Sequence, residues 1–182
     1  NAVYYPDHFG TNLMGDKRSL ALLRELAQNG EFSKAENDLI LKYIPWTAMI
    51  SAGATYNFKG SCLTAEELLR ENKDKLVVKA YKSMQGKDVF VGKYTDDNVW
   101  QSLIAKAIQE EKFVVQEISE SKEFLAPAPQ KNWSPNHIVW GAFGFGTRYG
   151  GVWVRISPCY ETNGVINSAT GAVESIVYES LN

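Results

Sequence analysis

The chain has 182 residues and a mass of 20.4 kDa, with 45% hydrophobic, 12% aromatic and 22% charged residues, a globular composition that excludes wholesale disorder. Its 19 basic and 21 acidic residues leave a net charge of -2, so no global basic field gathers nucleic acid or an anionic membrane. The length suits one large domain or two small ones, and no apolar run reaches the roughly eighteen residues that cross a bilayer.

Asn1-Ala2-Val3-Tyr4-Tyr5 lacks a signal-peptide layout, so a soluble, cytoplasmic protein with no membrane or nucleic-acid partner is expected. The chain opens on Asn rather than Met, and its first ten residues carry neither a helix start nor alternation, which is the expectation for a piece of a longer protein. Cys62 and Cys159 have neither CxxC spacing nor a nearby histidine pair; they read as reduced structural thiols, with one disulfide as the alternative.

Asp16 is placed to cap a helix that carries Leu20, Leu23 and Ala27 on one face and stops at Gly30. Ser33 with Glu36, and Thr64 with Glu67, are capping boxes in which hydroxyl and carboxylate each satisfy an end-of-helix amide. The helix opened by Ser33 carries Leu39, Ile40 and Tyr43 and is ended by Pro45. Residues 76–79 read as a buried strand and, after a polar turn through Lys82, Ser83, Met84, Gln85 and Gly86, residues 89–92 as its hairpin partner. Thr95 is expected to cap a helix whose apolar positions Trp100, Leu103, Ile104, Ala107 and Ile108 recur near every 3.6 residues, and 113–118 is the next strand.

Pro127, Pro129 and Pro135 predict a loop, and the span 120–135 is expected to be mobile until a ligand is bound. Beyond it, 137–145 and 152–157 alternate like antiparallel strands about a turn at 147–151, and 172–178 is a final strand. Between 132 and 182 the only charged residues are Arg148, Arg155, Glu161, Glu174 and Glu179, while seven of the 14 glycines fall there, which predicts a buried, turn-rich sheet. The fold class is α+β, a single unit with sublobes 10–118 and 119–182.

Three segments can carry chemistry. Lys79 ends a buried strand and points its charge over the sheet beside a small flexible turn whose amides suit phosphate oxygens; a solvated hairpin tip is the plain alternative. No GxxxxGK[ST] or GxGxxG is present. The strand 113–118 turns polar at its end, where backbone groups suit an adenine edge and a carboxylate suits a ribose, or where it is simply an edge strand. Arg155 inside an apolar strand needs an anion, either a protein carboxylate or a bound phosphate or carboxylate. His8 and His137 have no carboxylate cluster at metal spacing, and the five tryptophans read as packing rather than a stacking platform.

Taken in this order, the segments resemble the C-terminal half of the circularly permuted ATP-grasp proteins related to glutathionylspermidine synthase, with their carboxylate-amine ligase relatives, over residues 10–178. Gly15-Asp16-Lys17 and the leucine-rich helix behind it are similar to that family's Asn-Lys helix start. Tyr43-Ile44-Pro45-Trp46-Thr47 resembles its Ile-Pro-Trp-Thr segment, and 76–79 with Gly86-Lys87 resembles its Lys-Pro strand and glycine loop. Val114-Val115-Gln116-Glu117 is similar to its adenine-side strand, and Tyr149-Gly150-Gly151 with Arg155 to its Tyr-Gly-Gly and strand arginine.

The resemblance implies an ATP-grasp-like fold with an ATP site between two α+β layers. Lys17, Lys79 and Arg155 would face phosphates, with Arg155 catalytic; Gly86 and Lys87 would lie in the glycine loop; Gln116, Glu117 and Ile118 would line the adenine side. ATP and Mg2+ are the implied cofactors, and a small carboxylate, an amine and an upstream segment of the same protein, which bears the family's magnesium ligands, are the implied partners. Family members phosphorylate the carboxylate and let the amine displace phosphate to form an amide, a reaction served by fixed cations and a water-excluding loop. The chain departs from the family at Asp16, Ala80, Gln85 and the turn Ser168-Ala169-Thr170-Gly171. Glu161, Asn163 and Asn167 are additional metal-ligand candidates with no supporting spacing. The alternative is a non-catalytic interaction domain that keeps this fold and has lost nucleotide binding.

Overall fold

Residues 10, 13, 15–127, 132–159, 163–178 and 180 are described by the computed structural model. Among them lie four α-helices and ten strands, all paired antiparallel, so the fold is α+β. The chain divides into two compact units, the first ending at Ile118 and the second beginning at Ser119.

The first unit opens with helix α1, Arg18–Gln28. Asp16 does not cap it: Lys17 holds the N-cap position without a side-chain bond, while the Asp16 carboxylate accepts from the Arg18 amide at 3.0 Å and grips the Arg18 guanidinium at 2.6 Å. The buried stripe runs through Ala21 and Ala27, and Leu20 is exposed. Helix α2, Lys34–Tyr43, starts at the Ser33–Glu36 capping box and ends where Ile44 turns extended before Pro45; Leu39 and Tyr43 are exposed. Strands β1 (Thr47–Met49), β2 (Thr55–Phe58) and β3 (Ser61–Thr64) follow, and the Thr64–Glu67 box starts α3, Ala65–Glu71.

Strands β4 (Leu76–Ala80) and β5 (Val89–Val91) form the expected hairpin, with Gly92 already in a short 3-10 turn. Helix α4, Asp97–Glu110, is capped by Asp96, whose carboxylate accepts from the Asn98 and Val99 amides. Thr95, the expected cap, lies one residue before that position, and its hydroxyl donates to the Val91 carbonyl at 2.8 Å. Strand β6, Phe113–Glu117, completes a sheet of order β1-β6-β4-β5 and is interior, so the edge-strand reading falls. One face of this sheet, through Leu76, Val78, Phe113 and Val115, packs with Leu68 and Leu69 of α3 and Trp100, Leu103 and Ile104 of α4 in the main core. Strand alternation puts Thr47, Val77, Lys79, Val114 and Gln116 on the other face.

The second unit holds β7 (Glu123–Pro127), β8 (Trp133–Phe145), β9 (Arg148–Pro158) and β10 (Val173–Ile176), in the order β10-β9-β8-β7. Two of the prolines expected in a loop therefore sit in strands. Pro127 is the last residue of the edge strand β7, and Pro135 precedes the first β8–β9 pair, Asn136 with Pro158, so neither interrupts a two-sided ladder. Pro129 lies outside the described residues. The β8–β9 reversal is shorter than expected: pairing reaches Phe145 with Arg148, so Tyr149 and Gly150 belong to a strand, and a bulge falls between Ala142 and Gly144. The sheet is not buried as its composition suggested, since of the described residues after 131 only Asn136, Val154 and Ala172 are buried. Cys62 and Cys159 are free thiols. No described helix is long and apolar enough to cross a membrane.

Candidate functional site

Lys79 lies near the end of β4, and its ammonium donates to Gln116 Oε1 on β6 at 2.6 Å. The Gln116 amide is buried, and its Nε2 donates in turn to Thr47 Oγ1 on β1 at 2.8 Å. The Thr47 hydroxyl donates to the Pro45 carbonyl, also at 2.8 Å. A chain of polar groups thus runs from the turn before β1 to the lysine.

The start of α1 is fastened to the segment that follows β4. The Lys17 amide donates to the Tyr81 carbonyl at 3.1 Å, and the Arg18 guanidinium stands 4.1 Å from the centroid of the Tyr81 ring. The Lys17 ammonium donates to the Ser83 carbonyl at 2.6 Å. Burial holds Lys79 below the ordinary lysine range, and the Lys17 charge lowers it further. Burial lowers Lys17 as well, opposed by Asp16. Asp16 itself is committed to Arg18, and among the described residues neither lysine is in an ion pair. The structure therefore brings together two expected phosphate ligands, with Gln116 of β6 accepting from one of them.

Gly86 and Lys87 lie in the hairpin loop that Lys17 holds through Ser83. Three of its residues have left-handed backbone, Gln85 at φ 59°, Gly86 at 78° and Asp88 at 51°. Met84 and Lys87 are exposed, so the tip itself is solvated.

At the exit of β6, the expected adenine side, the backbone amides already have partners. The Glu117 amide donates to the Trp46 carbonyl at 2.8 Å and the Ile118 amide to the Lys75 carbonyl at 2.9 Å, so both are engaged in the sheet. The Glu117 carboxylate pairs with Lys59 at 2.7 Å. Arg24, unremarked in the sequence, donates from α1 to the Leu41 and Ile44 carbonyls and pins the turn that leads into β1. Its signal was an arginine among the leucines of an amphipathic helix.

In the second unit, Arg155 is half-buried on β9 with its guanidinium 4.7 Å from the Trp153 ring centroid. Among the described residues no carboxylate forms an ion pair with it. Glu174 is directly opposite on β10, although its carboxylate accepts from Ser168 Oγ at 2.5 Å. Asn163 and Asn167 are turn formers: their side-chain carbonyls accept from the amides of Val165 and Ala169. Glu161 and His8 lie outside the described residues. Among those described, no group of three or more His, Cys, Asp or Glu side chains is placed to hold a metal ion.

Comparison of the chain with protein-family models, curated proteins and solved structures finds no match. The functional reading rests on the residues.

Proposed function

We propose that the first unit binds the phosphates of a nucleotide, and that the chain is the nucleotide-binding part of an ATP-dependent carboxylate-amine ligase of the ATP-grasp kind. The observation that carries this reading is the pair Lys17 and Lys79, two part-buried ammonium groups that face neutral acceptors, with the Lys17 charge opposing that of Lys79. Burying like charges together is unfavourable, and a bound anion offsets it. A diphosphate or triphosphate suits two such cations.

When bound, ATP supplies the phosphoryl group that activates a carboxylate toward an amine. Lys17 and Lys79 would hold phosphate oxygens, and Mg2+ would enter with the phosphates, which supply part of its ligand set in such sites. With both amides at the β6 exit engaged, other groups would read the adenine edge, and the Glu117 carboxylate is the candidate partner of the ribose. In the second unit the candidate cation is Arg155.

Calorimetric titration with MgADP, AMP and adenosine tests the reading: affinity is expected to rise with the number of phosphates. Equal affinity for adenosine and MgADP would contradict it. A second reading, the interaction domain without a nucleotide site, is favoured by the exposed Trp133, Trp140 and Phe145 of the second sheet. Absence of any binding would leave that one standing.

A further inference from the structure

We infer that Thr47 is a positioning residue for Lys79, acting through Gln116. The argument is one of donors and acceptors. A threonine hydroxyl has a single hydrogen, and Thr47 gives it to the carbonyl of Pro45, a group that can only accept. The Thr47 oxygen is then left as an acceptor, so the Gln116 side chain must turn its NH2 toward it. That orientation sends Oε1 the other way, toward the Lys79 ammonium, which can only donate. Turning the amide over would set NH2 against NH3+ on one side and leave a carbonyl facing an already committed hydroxyl on the other.

The register supports the relay, because Thr47 and Val77 are the direct neighbours of Gln116 on its two sides, and Lys79 is two residues along β4 on the same face. Gln116 is buried, so water is not at hand to replace a lost partner. One acceptor on the sheet side holds the ammonium in place and leaves its other hydrogens for an anion. The carbonyl of Pro45, 34 residues before Lys79 in the chain, thereby fixes where that cation stands.

This inference rests on the phosphate-binding reading for its functional readout, but the relay has a signature without nucleotide. In 15N-lysine spectra of the free protein, a hydrogen-bonded ammonium shielded from water exchange is expected, assigned by its absence in Lys79→Met. Thr47→Ser, which keeps the hydroxyl, should retain that signal, and Thr47→Val should lose it. MgADP affinity should fall by about five- to tenfold in Thr47→Val, the scale of one hydrogen bond, stay within about twofold in Thr47→Ser, and show no further fall when Thr47→Val is added to Lys79→Met.

Gln116→Met, which removes the relay one step nearer the lysine, should reproduce the loss and guards against a Thr47→Val protein that does not fold. A Lys79 signal unchanged in Thr47→Val or Gln116→Met, a Thr47→Ser protein as weak as Thr47→Val, or an effect that persists without Lys79 would overturn the inference. A wild-type protein that shows the signal and binds no MgADP would instead overturn the nucleotide reading.

Discussion

Lys79 is held by a neutral amide and opposed by a second cation, so its charge works against folding at neutral pH. Its folded pKa lies below the ordinary lysine value of 10.5, so the unfolded chain binds more protons in between, and the contribution of this group to stability rises with pH from the lowered value to 10.5. Lys79→Met is expected to leave the free protein as stable or more so in urea. The same change should weaken MgADP binding by about 1–2 kcal/mol, the scale of a lost charge-assisted hydrogen bond. A variant that lost stability and kept its affinity would mean that the lysine is structural.

Asp16 titrates in the opposite sense. Its hydrogen bonds with Arg18 hold its carboxyl below the ordinary 3.8, so its contribution is present above that value and is lost as the pH falls through the folded one. The stability difference between wild type and Asp16→Asn should therefore shrink as urea midpoints are followed from pH 7 to below pH 4; a difference constant with pH would mean that the carboxylate charge is not what Arg18 needs. Arg155, with a ring for its neighbour, calls for a smaller effect. Arg155→Met is expected to change the stability of the free protein by about 1 kcal/mol, within the range of a part-exposed cation–π contact. A loss of several kcal/mol would reveal a carboxylate partner.

Among the elements, those set by local chemistry were legible. Both capping boxes are present, because each needs only residues three apart, and α4 follows its apolar period through Trp100, Leu103, Ile104 and Ala107. Strands β1 to β3 were not foreseen, being three or four residues long and too short to show alternation. Strand β7 and the start of β8 were masked by Pro127 and Pro135, which the edge position and the late start of the β8–β9 ladder accommodate. The helix cap one residue past Thr95 was missed because either residue can cap, and only the fold shows that the Asp96 carboxylate is the one that meets the first amides. Gly92 gives a test at this scale. It is buried beneath the turn of Lys73–Lys75, and a Cβ there would run into the Lys73 carbonyl. Gly92→Ala is expected to lower stability by about 1–3 kcal/mol, as overpacking does, read from the urea midpoint; an unchanged midpoint would show that the 3-10 turn gives way freely.

At the scale of the molecule, the two units are unlike. The core cluster gathers in the first, with Trp100 and Leu68 fully buried, whereas the second is a four-stranded sheet that leaves Leu125, Trp133, Trp140, Phe145 and Ile176 more than half exposed. Composition could not separate these cases, since sparse charge and many glycines suit a buried sheet and an uncovered one alike. The lysine half of the candidate site was legible from a strand ending in Lys79 and from the resemblance at Lys17. Its supporting groups were not: Thr47 and Gln116 are 69 residues apart, Lys17 and Ser83 are 66 apart, and only tertiary pairing brings either couple together.

The central claim is that Lys17 and Lys79 await nucleotide phosphates, and thermal melting of the whole chain with and without MgADP tests it most directly. At about 100 times the dissociation constant a ligand stabilises by about 2.7 kcal/mol, which for a chain of this size raises the melting temperature by about 5–10 °C. The account predicts that rise in the wild-type protein, saturable in MgADP, and its reduction in Lys79→Met. A melting temperature unmoved by millimolar MgADP would contradict it.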